Sequence, residues 1–556
     1  MNATSFKDSV VYQIYPRSFQ DSDGDGIGDL NGIKSRIPYL QKLGIDVVWL
    51  NPIYQSPDVD NGYDISDYRK IQPVFGTMKD FEDLLSKLHQ AGIKLMMDLV
   101  VNHTSDQHRW FQESKKSKDN PYADYYIWRD PVDGHAPNNW GSIFSGSSWT
   151  YVPERGQYYL HLFATEQPDL NWDNPNVRHD VFNMMKFWLD KGVDGYRLDA
   201  INFISKPVGL PDVPQPQDAK YGSAQSLISC GPHLEEYLLE MNKEVLSKYD
   251  AMTVGEMDNT PPKKAAKYAS LDGKELNMIF QFEHVNLSPN PDPTLGKWND
   301  EPVKLSELKH VLSRWEEALD GQAWNSLYWN NHDQPRAVSR FATDDPKYRK
   351  VAAKMLGTTL HMMQGTPYIY EGEELGMTNA AFKSLDDFED LDSLNAFHQF
   401  VDQQHLVTPE KMLDYLADRS RDNARTPMQW NDSPNAGFTT GTPWYQLNSN
   451  YTEINAKQEL SDQDSVFFHY QALLKLRHDY KIIQLGNYKL LDSDDESVFA
   501  YERHYQGQKL LVISNFTNET LVRDYGQDKM TLLLDNYKES SGNKLKPYES
   551  KIYLSV

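Results

Sequence analysis

Three short segments each end in an acidic residue after a strand-like apolar run: Gly195-Tyr196-Arg197-Leu198-Asp199, Val254-Gly255-Glu256 and Asn330-Asn331-His332-Asp333. In an alternating barrel, reacting groups collect where buried strands hand over to loops. Three carboxyls at one rim cost stability, so the pattern reads as nucleophile and acid/base chemistry. Arg197 stands two residues before Asp199, on the same face of a strand, and its guanidinium would keep Asp199 ionised as a nucleophile requires. Taken alone, that pair reads equally as a structural ion pair. Glu256 has no basic neighbour in sequence, and a carboxyl in apolar surroundings keeps its proton and can act as a general acid. Asp98, Asn102 and His103 equip the end of a further apolar run.

The elements that must position these groups recur. Amphipathic helical stretches such as 79–90 and 177–190 end near Gly44, Gly92 or Gly192, and β-rich runs follow at once. Glycine just past a helix can take the left-handed conformation that closes the last turn. The runs are nearly continuous in apolar residues, as expected of a parallel sheet buried on both faces. Eight are found, near 10–15, 47–50, 94–101, 193–199, 252–256, 277–282, 326–330 and 367–371, with helical patterns between them. This alternation predicts an α/β fold, a (β/α)8 TIM barrel over 1–103 and 174–478. Residues 104–173, rich in Trp, Tyr, Asn and Gly, are too long for a crossover and predict a subdomain inserted after strand 3. From 479 to 556 short alternating runs predict a C-terminal antiparallel β domain, a β-sandwich.

The formal charge of −24 over 556 residues argues against nucleic acid and anionic membranes as partners. A single cysteine, Cys230, excludes an intrachain disulfide framework. The first residues lack a basic stretch followed by an apolar one, and no apolar run approaches the ~20 residues of a membrane span. The expectation is a cytoplasmic, soluble protein, a monomer or weak homo-oligomer.

Four of these segments carry a resemblance. Asp98-Leu99-Val100-Val101-Asn102-His103, Gly195 to Asp199, Gly255-Glu256 and Asn331-His332-Asp333 resemble, in order and spacing, the four signature regions of the α-amylase superfamily, glycoside hydrolase family 13. Gln167-Pro168-Asp169-Leu170-Asn171 and the segment from Arg421 to Trp430 are similar to segments of its oligo-1,6-glucosidase and α-glucosidase branch. The resemblance implies Asp199 as nucleophile, Glu256 as general acid/base and Asp333 as transition-state stabiliser. Independent chemistry agrees, since a retaining glycosidase needs two carboxyls flanking the bond. It also implies that Tyr63 stacks under the first glucose and that Asp60 pairs with Arg421 behind it, which makes the enzyme exo-acting. His103, His332 and Arg197 would bond ring hydroxyls, and Phe163 and Gln167 would line the cleft from the insertion. Ala200, beside the nucleophile, resembles maltose-cleaving members, where valine marks isomaltose-cleaving ones; such a change is worth only ~1–3 kcal/mol.

The expectation is therefore a retaining exo-α-glucosidase releasing glucose from small neutral α-glucosides, leaning to α-1,4 linkages, with no organic cofactor. The alternatives are oligo-1,6-glucosidase activity on isomaltose, then trehalose-6-phosphate hydrolysis or sucrose isomerisation. Finally, Asp21, Asp23, Asp25, Ile27 and Asp29 alternate as in the first part of an EF-hand loop, with Gly26 at the turn but Gly32 where the closing glutamate belongs. Four carboxylates within nine residues repel one another without a cation, and the resemblance implies a structural Ca2+ here.

Overall fold

A computed structural model describes residues 5–215, 220–539 and 542–555. Eight parallel strands form its centre: β1 (Val11–Ile14), β2 (Val47–Leu50), β3 (Lys94–Val100), β4 (Gly195–Asp199), β5 (Met252–Glu256), β6 (Met278–Phe280), β7 (Ser326–Leu327) and β8 (Thr366–Tyr370). Hydrogen-bonded neighbours run β6-β5-β4-β3-β2-β1-β8-β7, and a parallel bridge between Ile279 and Asn325 closes the ring. Helices such as Met78–Gln90, Pro175–Asp190, Leu305–Leu319 and Arg349–His361 follow the strands and cover the ring. Gly44 (φ 94°) caps the helix Ile37–Leu43 by donating its N–H to Leu40 O, a conformation that a Cβ would strain. The expected (β/α)8 architecture is present.

The barrel floor is aromatic. Trp49 of β2 stacks on Phe280 of β6 at 5.6 Å and meets Tyr368 of β8 edge-on at 6.2 Å. Above that floor the register sets the chemistry: Arg197 of β4 lies opposite Asp98 of β3 on one side and Val254 of β5 on the other. β7 is shorter than its apolar run: it ends at Leu327, not at residue 330, where its partner in β8 is Pro367, which has no N–H to add to the ladder.

Between β3 and β4 lies the insertion, with a three-stranded antiparallel sheet of Trp128–Arg129, Gln157–Leu160 and Trp149–Val152. It reaches beyond its own segment, since Trp140–Gly141 pairs with Gly222–Ser223, which follows β4. The C-terminal region carries a five-stranded antiparallel sheet, Asn487–Leu491, Val498–Tyr505, Gln508–Asn515, Ser550–Ser555 and Thr531–Asp535. Buried polar ties join it to the barrel, among them Arg503 paired with Glu316 at 3.0 Å and Lys309 Nζ, which donates to the Val498 carbonyl at 3.0 Å. No helix among the described residues is long and apolar enough to cross a membrane.

Candidate active site

At the C-terminal ends of the strands, Arg197 is the hub. Its Nη1 lies 2.8 Å from Asp98 Oδ1 and 2.7 Å from Asp199 Oδ1, and its Nη2 lies 2.7 Å from Glu256 Oε1. Asp199 and Glu256 therefore sit side by side on one guanidinium fork. The second Glu256 oxygen accepts from the Ala200 N–H at 2.8 Å. Asp333 has partners of its own, with Arg425 at 3.0 Å, Arg421 at 3.1 Å and the His332 ring at 3.1 Å.

Sharing the guanidinium alters the electrostatics expected from sequence. Arg197 does not serve Asp199 alone, so its pull is divided among three carboxyls. Burial pushes Asp199 up to about 7 against the pull of Arg197, and pushes Glu256 up to about 7 in the same way. The expectation that Arg197 simply keeps Asp199 ionised is corrected accordingly. Burial also favours the neutral form of Asp333, yet His332, Arg421 and Arg425 outweigh it and hold Asp333 well below the usual carboxylate range. Burial lowers the His332 ring itself, against the pull of Asp333.

These groups open into a cavity of about 470 Å³, lined by Asp60, Tyr63, His103, Phe163, Asp199, Ala200, Glu256, Asp333 and Arg421 among others. Tyr63 lies parallel to His332 at 5.3 Å, and its hydroxyl is 3.0 Å from Asp98 and 2.7 Å from His332 Nε2. His103 bonds the Tyr63 carbonyl at 3.1 Å, and burial lowers its ring to about 4, which keeps it neutral. Gln167 donates to Asp60 at 3.0 Å and contacts His103 at 3.1 Å. Three of the sequence candidates, Arg197, His332 and Gln167, lie behind the cavity wall and are almost fully buried.

Arg421 meets Asp60 only at 3.5 Å; its close partner is Asp390, at 2.8 Å. Asp390 also pairs with Arg425, and it is 1 % exposed. Neither Asp390 nor Arg425 was among the sequence candidates. Arg425 stands four residues after Arg421 in a segment already singled out, which was a usable signal. Asp390 was one acid in an acidic stretch, with nothing local to distinguish it. Phe144 was also missed; it lies under the Arg421 guanidinium at 5.0 Å and against Phe163 at 5.6 Å.

Residues 13–486 match the family model for the α-amylase catalytic domain. The chain belongs to the α-amylase family. It is 53 % identical to an oligo-1,6-glucosidase of Parageobacillus thermoglucosidasius, covering 100 % of this chain and 99 % of that one. It is 50 % identical to an α-glucosidase of Pediococcus pentosaceus, over 99 % and 98 % of the two chains. The crystal structure of a Bacillus licheniformis trehalose-6-phosphate hydrolase superposes with a TM-score of 0.92 at 46 % identity, covering 99 % of each chain. As a member of this family the chain is a glycoside hydrolase.

Away from the cavity, the acidic loop after β1 gathers Asp21, Asp23 and Asp29, whose carboxylate oxygens lie within 4.8 Å of one another. Asp25 is not in that group; its carboxylate instead accepts from the Ile27 N–H at 2.8 Å. The loop is pinned to the segment after the arginines, where the Asp21 N–H donates to Phe438 O at 3.1 Å and the Trp444 N–H to Gly26 O at 2.9 Å.

Proposed function

We propose that this chain hydrolyses short neutral α-glucosides with retention, removing one glucose at a time from the non-reducing end. The observation that carries this reading is the placement of Asp199 and Glu256 on the two nitrogens of one buried guanidinium, facing a cavity of about 470 Å³. Two carboxyls held on one guanidinium suit the short spacing of a double displacement. Asp199 attacks the anomeric carbon while Glu256 gives its proton to the departing oxygen; water, deprotonated by Glu256, then releases glucose from Asp199. Asp333 stays ionised and balances the positive charge that develops on the ring. Tyr63 supplies an apolar face for the first sugar. Asp60, Arg421, Phe144 and Phe163 line the pocket and contact one another in turn, and a wall they close behind the first sugar would make the action exo.

On linkage, the α-1,4 expectation gives way to α-1,6. Relatives 53 % identical over nearly their whole length carry the oligo-1,6-glucosidase name, which favours isomaltose-type substrates. The α-1,4 reading keeps one specific support: Ala200, small and in the cavity wall, has its N–H on Glu256. A phosphorylated leaving sugar is disfavoured by charge. The cations lining the cavity are Lys297, paired with Asp392, and Arg421, paired with Asp390 and Asp333. Initial rates on isomaltose, maltose, sucrose, trehalose and trehalose 6-phosphate test this, with isomaltose expected to lead. A maltose preference above tenfold would return the reading to α-1,4, and failure on all five would end it.

For the acidic loop we propose a structural Ca2+ held by Asp21, Asp23 and Asp29, with the Ile27 carbonyl as a further oxygen donor. An all-oxygen donor set of clustered carboxylates fits that ion, and it would supply charge neutralisation and no reaction chemistry.

A further inference from the structure

Gln13 of β1 is 1 % exposed and lies behind the site, outside the cavity lining. Its Nε2 is 2.9 Å from His332 Nδ1 and 2.9 Å from Asn51 Oδ1. Asn51, which follows β2, places its Nδ2 2.6 Å from the Tyr63 hydroxyl. That hydroxyl lies 2.7 Å from His332 Nε2 and 3.0 Å from Asp98 Oδ2. Gln13, Asn51, Tyr63 and His332 thus close a ring of buried contacts, with Asp98 attached at Tyr63. His332 Nε2 also faces Asp333 Oδ2 at 3.1 Å.

The direction of every hydrogen in this ring follows from Asp98. Burial raises Asp98 to about 6 against the pull of Arg197, so near neutrality it is a carboxylate and can only accept. Arg197 Nη1 and the Trp49 indole N–H donate to it at 2.8 and 3.2 Å, and Tyr63 must give it its single hydrogen. The Tyr63 oxygen is then an acceptor toward its other neighbours. Asn51 must present its NH2 group there, so Asn51 Oδ1 faces Gln13. Gln13 must present its own NH2 in turn, and His332 Nδ1 has to accept. Burial lowers the His332 ring, so near neutrality it carries one proton, and that proton sits on Nε2. The opposite tautomer would reverse both amides and set the Tyr63 oxygen against the oxygens of Asp98 and Asn51. It would also turn the Nε2 lone pair on Asp333, and hydrogen bonds left unmade between buried groups are costly.

We propose that Gln13 is a positioning residue: by donating to His332 Nδ1 it fixes the tautomer whose Nε2–H faces Asp333 and Tyr63. The inference rests on the glucosidase reading above, in which Asp333 balances the charge that develops on the sugar ring. The Nε2–H steadies the Asp333 oxygen that it faces, whereas the opposite tautomer presents a lone pair to that oxygen. Asp333 acts on the transition state more than on the bound sugar, so the effect of Gln13 belongs in kcat rather than in KM.

Neutron diffraction from crystals of the perdeuterated, otherwise unmodified chain at neutral pH reads the tautomer itself. Deuterium is expected on His332 Nε2 and not on Nδ1; deuterium on Nδ1, alone or together with Nε2, would overturn the inference. Kinetics on the better of isomaltose and maltose read its consequence. Gln13→Met keeps the length of the side chain without a donor and should lower kcat roughly 10- to 100-fold, with KM within about threefold. In a His332→Asn background the same change should alter kcat by less than about threefold, because the residue through which Gln13 acts is gone. An equal loss in both backgrounds would make Gln13 a general structural support and overturn the inference. A loss confined to KM, or an undiminished kcat, would overturn it too. If Gln13→Met does not fold, the neutron result decides alone. Inactivity of the unmodified chain on both disaccharides would overturn the glucosidase reading and the kinetic consequence with it, while the deuterium position would still decide whether Gln13 sets the tautomer.

Discussion

Asp390 offers the sharpest test of how the Arg421 end of the cavity is held. It is 1 % exposed and accepts from Arg421 Nε at 2.9 Å while also pairing with Arg425. Both arginines then reach Asp333 at about the same distance, 3.1 and 3.0 Å. Asp390→Ala removes the carboxylate that neutralises two buried guanidiniums. Breaking a buried pair by deleting one partner costs about 3–5 kcal/mol. Because Asp333 still contacts both arginines, the lower end applies, about 3 kcal/mol of stability. The arginines would also turn toward Asp333 and Asp60, and a loss of about 1–2 kcal/mol in transition-state binding lowers kcat/KM roughly 5- to 30-fold. Urea unfolding followed by tryptophan fluorescence reads the first effect and kinetics on isomaltose the second. Asp390→Asn, which keeps one acceptor, should fall between. A variant with an unchanged unfolding midpoint and unchanged kcat/KM would refute the claim that Asp390 organises this end of the site.

Three further outcomes follow from the same geometry. Glu256→Gln should lower kcat on disaccharides by about 10²- to 10⁴-fold, the range for a lost general acid; near-normal turnover would remove Glu256 from that role. The pH profile of kcat/KM should be a narrow bell centred near neutrality: as pH falls through about 7, Asp199 takes up a proton and loses its nucleophilicity, and as pH rises through about 7, Glu256 loses the proton it must donate. The two limbs report the coupled pair jointly, and a flat plateau from about pH 5 to 9 would contradict the sharing of Arg197. Chelation should lower the thermal midpoint of the unmodified chain but not that of Asp21→Ala, as calcium bound only to the folded chain stabilises it by mass action; equal midpoints with and without chelator would leave the loop without an ion.

Much of this protein is written locally. Alternating helices and apolar strands, with glycine at helix ends, depend on residues a few positions apart, so the barrel could be read before any partner was known. The same holds for the acids at strand ends, since an apolar run that stops at Asp199, Glu256 or Asp333 marks its own rim position. The acidic loop was legible as a pattern, although its fourth carboxylate, Asp25, turned to the Ile27 N–H and left the cluster.

What the sequence could not determine is which charge each acid faces. Arg197 looked like the partner of Asp199, two residues away. Only the register of β3, β4 and β5 brings Asp98 and Glu256 onto the same guanidinium and so divides its charge. Asp390 and Arg425 lie 35 residues apart, and their pairing is created by the loops after β8 folding over the rim. Carboxyl ionisation is set by the sum of burial and all nearby charges, and those neighbours come from strands separated by tens to hundreds of residues. The sequence by itself thus determined the reaction class and the candidate residues for it. The closed barrel decided which charges those residues share, and the loops above it decided which side chains line the cavity beside them.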